Sequence, residues 1–165
     1  GNIGKIIEET ASKHGYTPVT NLSGHGVKRY DAHTPPTIPN YNNGNMNVLE
    51  EGMVIAIEPF ITDGRGSIYE SGNATLFEQV DSRPVRNRIA KPIYEDIKQW
   101  KGLPFASRWL VDTYGWGKTK YGLKALVDEG ILRAYPPLVE EDKGLVVQAE
   151  HTVVVLEDDI LITTL

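Results

Sequence analysis

The apolar positions of this chain change their spacing several times, and each change predicts an element. Ile3, Ile6, Ile7 and Ala11 fall at helical spacing and His14-Gly15 stops the pattern, which predicts a short amphipathic helix over 2–14. Residues 16–41 are rich in Gly, Pro and Asn, with Val19, Leu22 and Val27 as isolated apolar positions, so short strands joined by turns are expected. Met53-Val54-Ile55-Ala56-Ile57 is a β-prone run closed by Glu58-Pro59. It predicts a buried strand carrying Glu58 at its end, because proline stops such a run from continuing as a central strand. Between 61 and 80, Gly64, Gly66 and Gly72 separate Ile68-Tyr69 from Thr75-Leu76-Phe77 in a hairpin-like rhythm. Helical period returns over 85–101 (Ile89, Ile93, Ile97, Trp100) and 120–134 (Tyr121, Leu123, Leu126, Val127, Leu132), with a shorter helical piece at 105–110. After Pro136-Pro137, strands are expected at 145–149, 152–156 and 160–164. The order helix, strands, helical block, strands implies an α+β domain, 1–80 with 144–165, interrupted by a helical subdomain at 81–143.

Composition narrows the class. With 165 residues, 40% of them hydrophobic and 24% charged, the chain can bury a core and does not have the composition of a disordered or fibrous protein. It has no cysteine, which excludes disulfides, thiolate zinc sites and a cysteine nucleophile. Any metal must be held by nitrogen and oxygen, and a reducing, cytoplasmic location is expected. No apolar stretch approaches the roughly 20 residues of a membrane helix, since Glu58, Glu150 and Glu157 interrupt the best candidates. The opening Gly1-Asn2-Ile3-Gly4 shows neither an initiator methionine nor a signal pattern, so a truncated or processed start is expected. The net charge of −5 is uneven: 81–143 carries 12 basic and 9 acidic side chains, the remainder 5 and 13. That basic bias is compatible with RNA or ribosome contact, although a solvated helical surface accounts for it more simply.

Candidate chemistry gathers on a few residues. His25 lies between Gly24 and Gly26, whose missing side chains would let a metal or substrate approach the imidazole. His33 follows eight residues on and could share the same cleft; two solvated loop histidines are the simpler alternative. Glu58 directly follows five apolar residues, and Glu150 sits between Val146-Val147 and a run from Thr152 to Leu156. Carboxylates embedded in apolar strands are costly unless paired or metal-bound. With His25 they form an N/O set suited to divalent first-row ions, the alternative being purely structural carboxylates. His151 should face away from Glu150 and be structural or support a ligand from outside the site. Gly115-Trp116-Gly117-Lys118-Thr119 ends like a phosphate loop, but Asp112 stands where the first glycine is required, so nucleotide binding is not expected.

Asn21-Leu22-Ser23-Gly24-His25-Gly26, Tyr30-Asp31-Ala32-His33, Ile57-Glu58-Pro59-Phe60, Tyr135-Pro136-Pro137-Leu138 and Gln148-Ala149-Glu150-His151-Thr152 together resemble the type II methionine aminopeptidases, particularly the archaeal ones. The resemblance implies the C-terminal half of a pita-bread (creatinase/aminopeptidase) fold with a helical type II insertion. It implies metal-dependent hydrolytic removal of the N-terminal methionine from nascent proteins, with two divalent ions (Co, Mn, Fe or Zn). By the same resemblance His25 is a ligand of one ion, Glu58 a ligand of that ion and a general base, and Glu150 a bridge between both. His33 hydrogen-bonds the scissile peptide, and Phe60, Leu76 and Tyr135 line the methionine pocket. In the family, two aspartate ligands and a further histidine lie upstream of the matching region; none of Asp31, Asp63 or Asp81 takes their place. Ala149 stands where the family usually has a larger residue. The chain alone is therefore expected to be inactive and to need the N-terminal half, in cis or as a second chain. A non-catalytic pita-bread module binding RNA or protein, and an X-Pro aminopeptidase, are the alternatives.

Overall fold

The computed structural model describes residues 2–165. The chain divides into two compact units, one running to Tyr69 and resuming over Leu138–Leu165, the other Glu70–Pro137. In chain order the elements are α1 (Asn2–Lys13), β1 (Thr17–Pro18), β2 (Ser23–Lys28), β3 (Asp31–Pro39), β4 (Val54–Ile57), β5 (Phe60–Thr62), β6 (Ile68–Glu70) and β7 (Leu76–Gln79). There follow α2 (Ala90–Ile97), β8 (Phe105–Ala106), α3 (Arg108–Asp128), β9 (Leu132–Tyr135), β10 (Leu138–Glu140), β11 (Val146–Gln148), β12 (His151–Val155) and β13 (Ile160–Ile162).

The first unit is built on a five-stranded sheet in the order β13-β12-β4-β2-β3, beside a three-stranded sheet β1-β5-β11 and the pair β10-β6. Ile38, Ile55 and Val153 are buried on the larger sheet, with Ile3 of α1, Leu49, Met53, Ile57 and Ile162 packed against them. Helix α1 forms where its spacing predicts and ends at Lys13, followed by Gly15, whose φ of 79° is a conformation glycine adopts at least cost. The second unit packs α2 and α3 with the sheet β8-β7-β9 around Ile93, Ile97, Phe105, Leu110, Leu123, Leu126 and Ile131.

Several expected elements take another form. The hairpin rhythm at 61–80 is not a hairpin: β6 pairs with β10, whereas β7 pairs with β8 and β9. Gly72, at φ 86°, turns the chain between them, and the Ser71 amide donates to Pro137 O instead. The helix expected from residue 85 begins at Ala90, because Asn87 Oδ1 accepts the amides of Ile89 and Ala90 and fixes the start there. Residues 105–110 split into β8 and the first turn of α3. Helix α3 contains Trp116 to Thr119 and is broken at Gly115 (φ 73°, ψ 157°). It stops at Asp128; Gly130 takes φ 70°, and Leu132–Tyr135 joins the sheet as β9. The helical period over 120–134 therefore overran a glycine stop.

Glu140 is the most deeply buried carboxylate, 2% exposed. Its Oε1 accepts the amides of Arg65 (2.6 Å) and Gly66 (3.2 Å), and its Oε2 those of Asp142 (2.6 Å) and Gly144 (3.0 Å). A Cβ on Gly64 would stand 2.4 Å from this carboxylate, so the turn closes over it only with glycine. Burial pushes its pKa up, but the four amides outweigh burial and hold it below the ordinary 4.5.

Candidate metal centre

Strand β2 lies between β3 and β4, with His25 opposite Thr37 on one side and Ala56 on the other. The glycines flanking His25 serve this strand packing. A Cβ at Gly24 would stand 2.2 Å from Ala56 O, and one at Gly26 would stand 2.2 Å from Pro35 O. The open sides read from sequence as ligand access are thus filled by neighbouring backbone.

Strand β4 ends at Ile57, and the next residue, Glu58, is buried. Its Oε1 lies 3.0 Å from His25 Nε2, and its Oε2 accepts a 2.9 Å hydrogen bond from Gln148 Nε2. His25 Nδ1 is 3.1 Å from Gly26 O. A carbonyl oxygen only accepts, so Nδ1 carries its hydrogen and Nε2 is the nitrogen turned to Glu58. One proton then lies between Nε2 and Oε1. Burial raises the pKa of Glu58, His25 lowers it, the charge of Glu150 raises it and the Gln148 hydrogen bond lowers it; the outcome is a carboxyl above its ordinary 4.5.

His33, on β3, sets its ring edge-on to that of His25, with centroids 4.5 Å apart. Both line a cavity of about 350 Å³ with Ser23, Thr34, Pro35 and Thr37. The buried hydroxyl of Thr34 has no hydrogen-bond partner. Glu150 is not embedded in an apolar strand as its neighbours suggested. It is exposed, at the crossover where the chain leaves β11 in one sheet and enters β12 in another. Its charge reaches Glu58, yet among the described residues no group of three His, Asp or Glu side chains is placed to hold a metal ion. His151 bonds Thr164 Oγ1 through Nδ1 at 2.9 Å. Leu76 and Tyr135 are direct cross-strand neighbours on β7 and β9, and the Tyr135 hydroxyl donates to Glu78. Phe60 is half-buried at the start of β5.

An imidazole nitrogen with its other nitrogen already bonded, facing a carboxylate oxygen, is a donor pair that suits a divalent first-row ion. His25 and Glu58 fit such an ion as two of its ligands. Sequence reasoning gave no role to Gln148, although it stands in a quoted motif; its signal is an amide closing the apolar run Leu145-Val146-Val147.

A strand-borne histidine facing a buried glutamate is a donor pair compatible with a metal-dependent hydrolase. The chain belongs to metallopeptidase family M24, whose model matches residues 1–163. It is 43% identical over 163 residues to the methionine aminopeptidase of Archaeoglobus fulgidus, covering 98% of this chain and 54% of that protein. It is 45% identical over 164 residues to the methionine aminopeptidase of Thermococcus onnurineus, covering 98% and 56%. The chain thus spans about half the length of the curated relatives it matches. Among solved structures it is similar to a thermophilic Arx1 (TM-score 0.81, 18% identity, 95% of this chain and 43% of that one). It is also similar to the methionine aminopeptidase of Rickettsia prowazekii (TM-score 0.56, 26% identity, 100% and 42%). Among the described residues no helix is long and apolar enough to cross a membrane.

Proposed function

We propose that this chain supplies part of the active site of a cytoplasmic type II methionine aminopeptidase, which removes the N-terminal methionine from nascent proteins. The observation that carries this reading is the 3.0 Å pair of His25 Nε2 and Glu58 Oε1, with His25 also lining one cavity with His33. In this reading His25, Glu58 and Glu150 would be the residues of this chain that hold two divalent ions (Co, Mn, Fe or Zn). The remaining ligands come from the part of the relatives' length that this chain does not span. The ions supply Lewis acidity toward water and toward a peptide carbonyl. Glu58 would take up the proton of the attacking water at its carboxylate. His33 hydrogen-bonds the scissile peptide. By the family resemblance Phe60, Leu76 and Tyr135 are the residues assigned to the methionine side chain.

Two measurements test this. Calorimetric titration with Mn²⁺ should show binding to the chain that is lost in His25→Ala and Glu58→Gln; no difference between the three would count against the ligand assignment. Mixed with a polypeptide covering the relatives' remaining half, the chain should hydrolyse a Met-Ala peptide. Preference for an X-Pro peptide, or salt-sensitive RNA binding without hydrolysis after verified assembly, would replace this reading by the corresponding alternative.

A further inference from the structure

Glu58 has two oxygens, and partners on two different strands claim one each: His25 on β2 and Gln148 on β11. A carboxylate free at its last torsion rotates over a broad, two-fold profile, so one partner alone leaves its orientation loose. We infer that Gln148 is a positioning residue for Glu58, holding Oε2 so that Oε1 stays directed at His25. The inference rests on the assignment of Glu58 as a ligand given above.

The placement of Gln148 supports this. Strand β11 pairs with β5 so that Gln148 lies opposite Phe60, two residues beyond Glu58, and its side chain reaches back to the carboxylate. The strand is fixed at both ends. Leu145 N donates to Asp63 Oδ1 (2.8 Å) just before it, and Ala149 N donates to Pro59 O (3.3 Å) just after it. Gln148 itself is exposed, so core packing does not account for the contact. An amide also suits the task chemically, because it donates a hydrogen bond without adding charge beside a cation site.

The test uses the chain labelled with ¹⁵N-histidine, at one fixed pH and free of metal, with the His25 ring signals assigned through His25→Gln. Gln148→Met, similar in length but without a donor, should shift the Nε2 signal of His25 while leaving His14 and His151 in place. Its melting temperature should stay that of the parent, which separates positioning from a structural role. In calorimetry with Mn²⁺, Gln148→Met should bind about tenfold more weakly, the low end of the loss expected for outer partners of a metal ligand. An unchanged His25 signal in Gln148→Met overturns the inference whatever Mn²⁺ does. If the parent chain binds no Mn²⁺, the ligand assignment falls while the ring signals still decide the role of Gln148. Gln148→Leu, which likewise lacks a donor and adds no charge, is read in the same way if the methionine variant does not fold.

Discussion

Two buried carboxylates, Glu58 and Glu140, are driven in opposite directions by what surrounds them. Glu140 is held below its ordinary value by four backbone amides, so its stabilising contribution is complete above about pH 4.5 and is lost as pH falls through the lower, folded value. Glu140→Gln keeps one acceptor and turns an NH₂ group toward two amides. It should melt several degrees below the parent at neutral pH, and that gap should narrow in acid; equal melting at both pH values would contradict the clamp. For Glu58 the sign reverses. Its raised pKa means the folded chain holds a proton that the unfolded chain has released, so stability falls as pH rises from about 4.5 through the folded value. Glu58→Gln should therefore melt above the parent at neutral pH without metal, although it loses metal binding. A lower melting point would show that the His25 contact outweighs burial.

At the scale of elements, the close contact of β2 with β4 makes Gly24 indispensable. Gly24→Ala would set its Cβ 2.2 Å from a backbone oxygen, which cannot swing aside as a side chain can. We expect a loss of about 1–3 kcal/mol together with weakened Mn²⁺ binding, read by denaturant melts and calorimetry. Parent-like behaviour in both would show that the strands can part without disturbing His25. Elements whose signal is local were legible in the sequence: α1, β4 ending before Glu58, and β12 followed their apolar spacing. Partners set by distant backbone were not. Nothing around Glu140 announces that amides from 65–66 will meet it, and the helical period of 120–134 conceals a strand, because Leu132 serves either pattern until β7 arrives to pair with it. At the site, Glu58 stands out by the apolar run that precedes it, whereas the glycines around His25 answer to strand packing and do not announce its contact with Glu58. The exposure of Glu150 was not legible either, since it depends on where the chain changes sheets.

At the scale of the molecule, two sheets end in apolar edges. Strand β11 leaves Val147 64% exposed and β13 leaves Leu161 53% exposed, each on an edge strand with open hydrogen-bonding groups. Such edges invite pairing with another chain, so the isolated protein should self-associate, with a light-scattering mass that rises with concentration. Val147→Lys and Leu161→Lys should lower it, and a monodisperse parent would contradict the expectation. The way the chain enters and leaves Glu70–Pro137 works differently. It departs along β6 and returns along β10, two paired strands, and Ser71 N donates to Pro137 O at 2.8 Å. To the first unit, everything between those strands is equivalent to a tight turn, with its closure already met by neighbouring ladder bonds. A segment entered and left along two paired strands can change in length while the register of the sheet that carries His25 stays as it is.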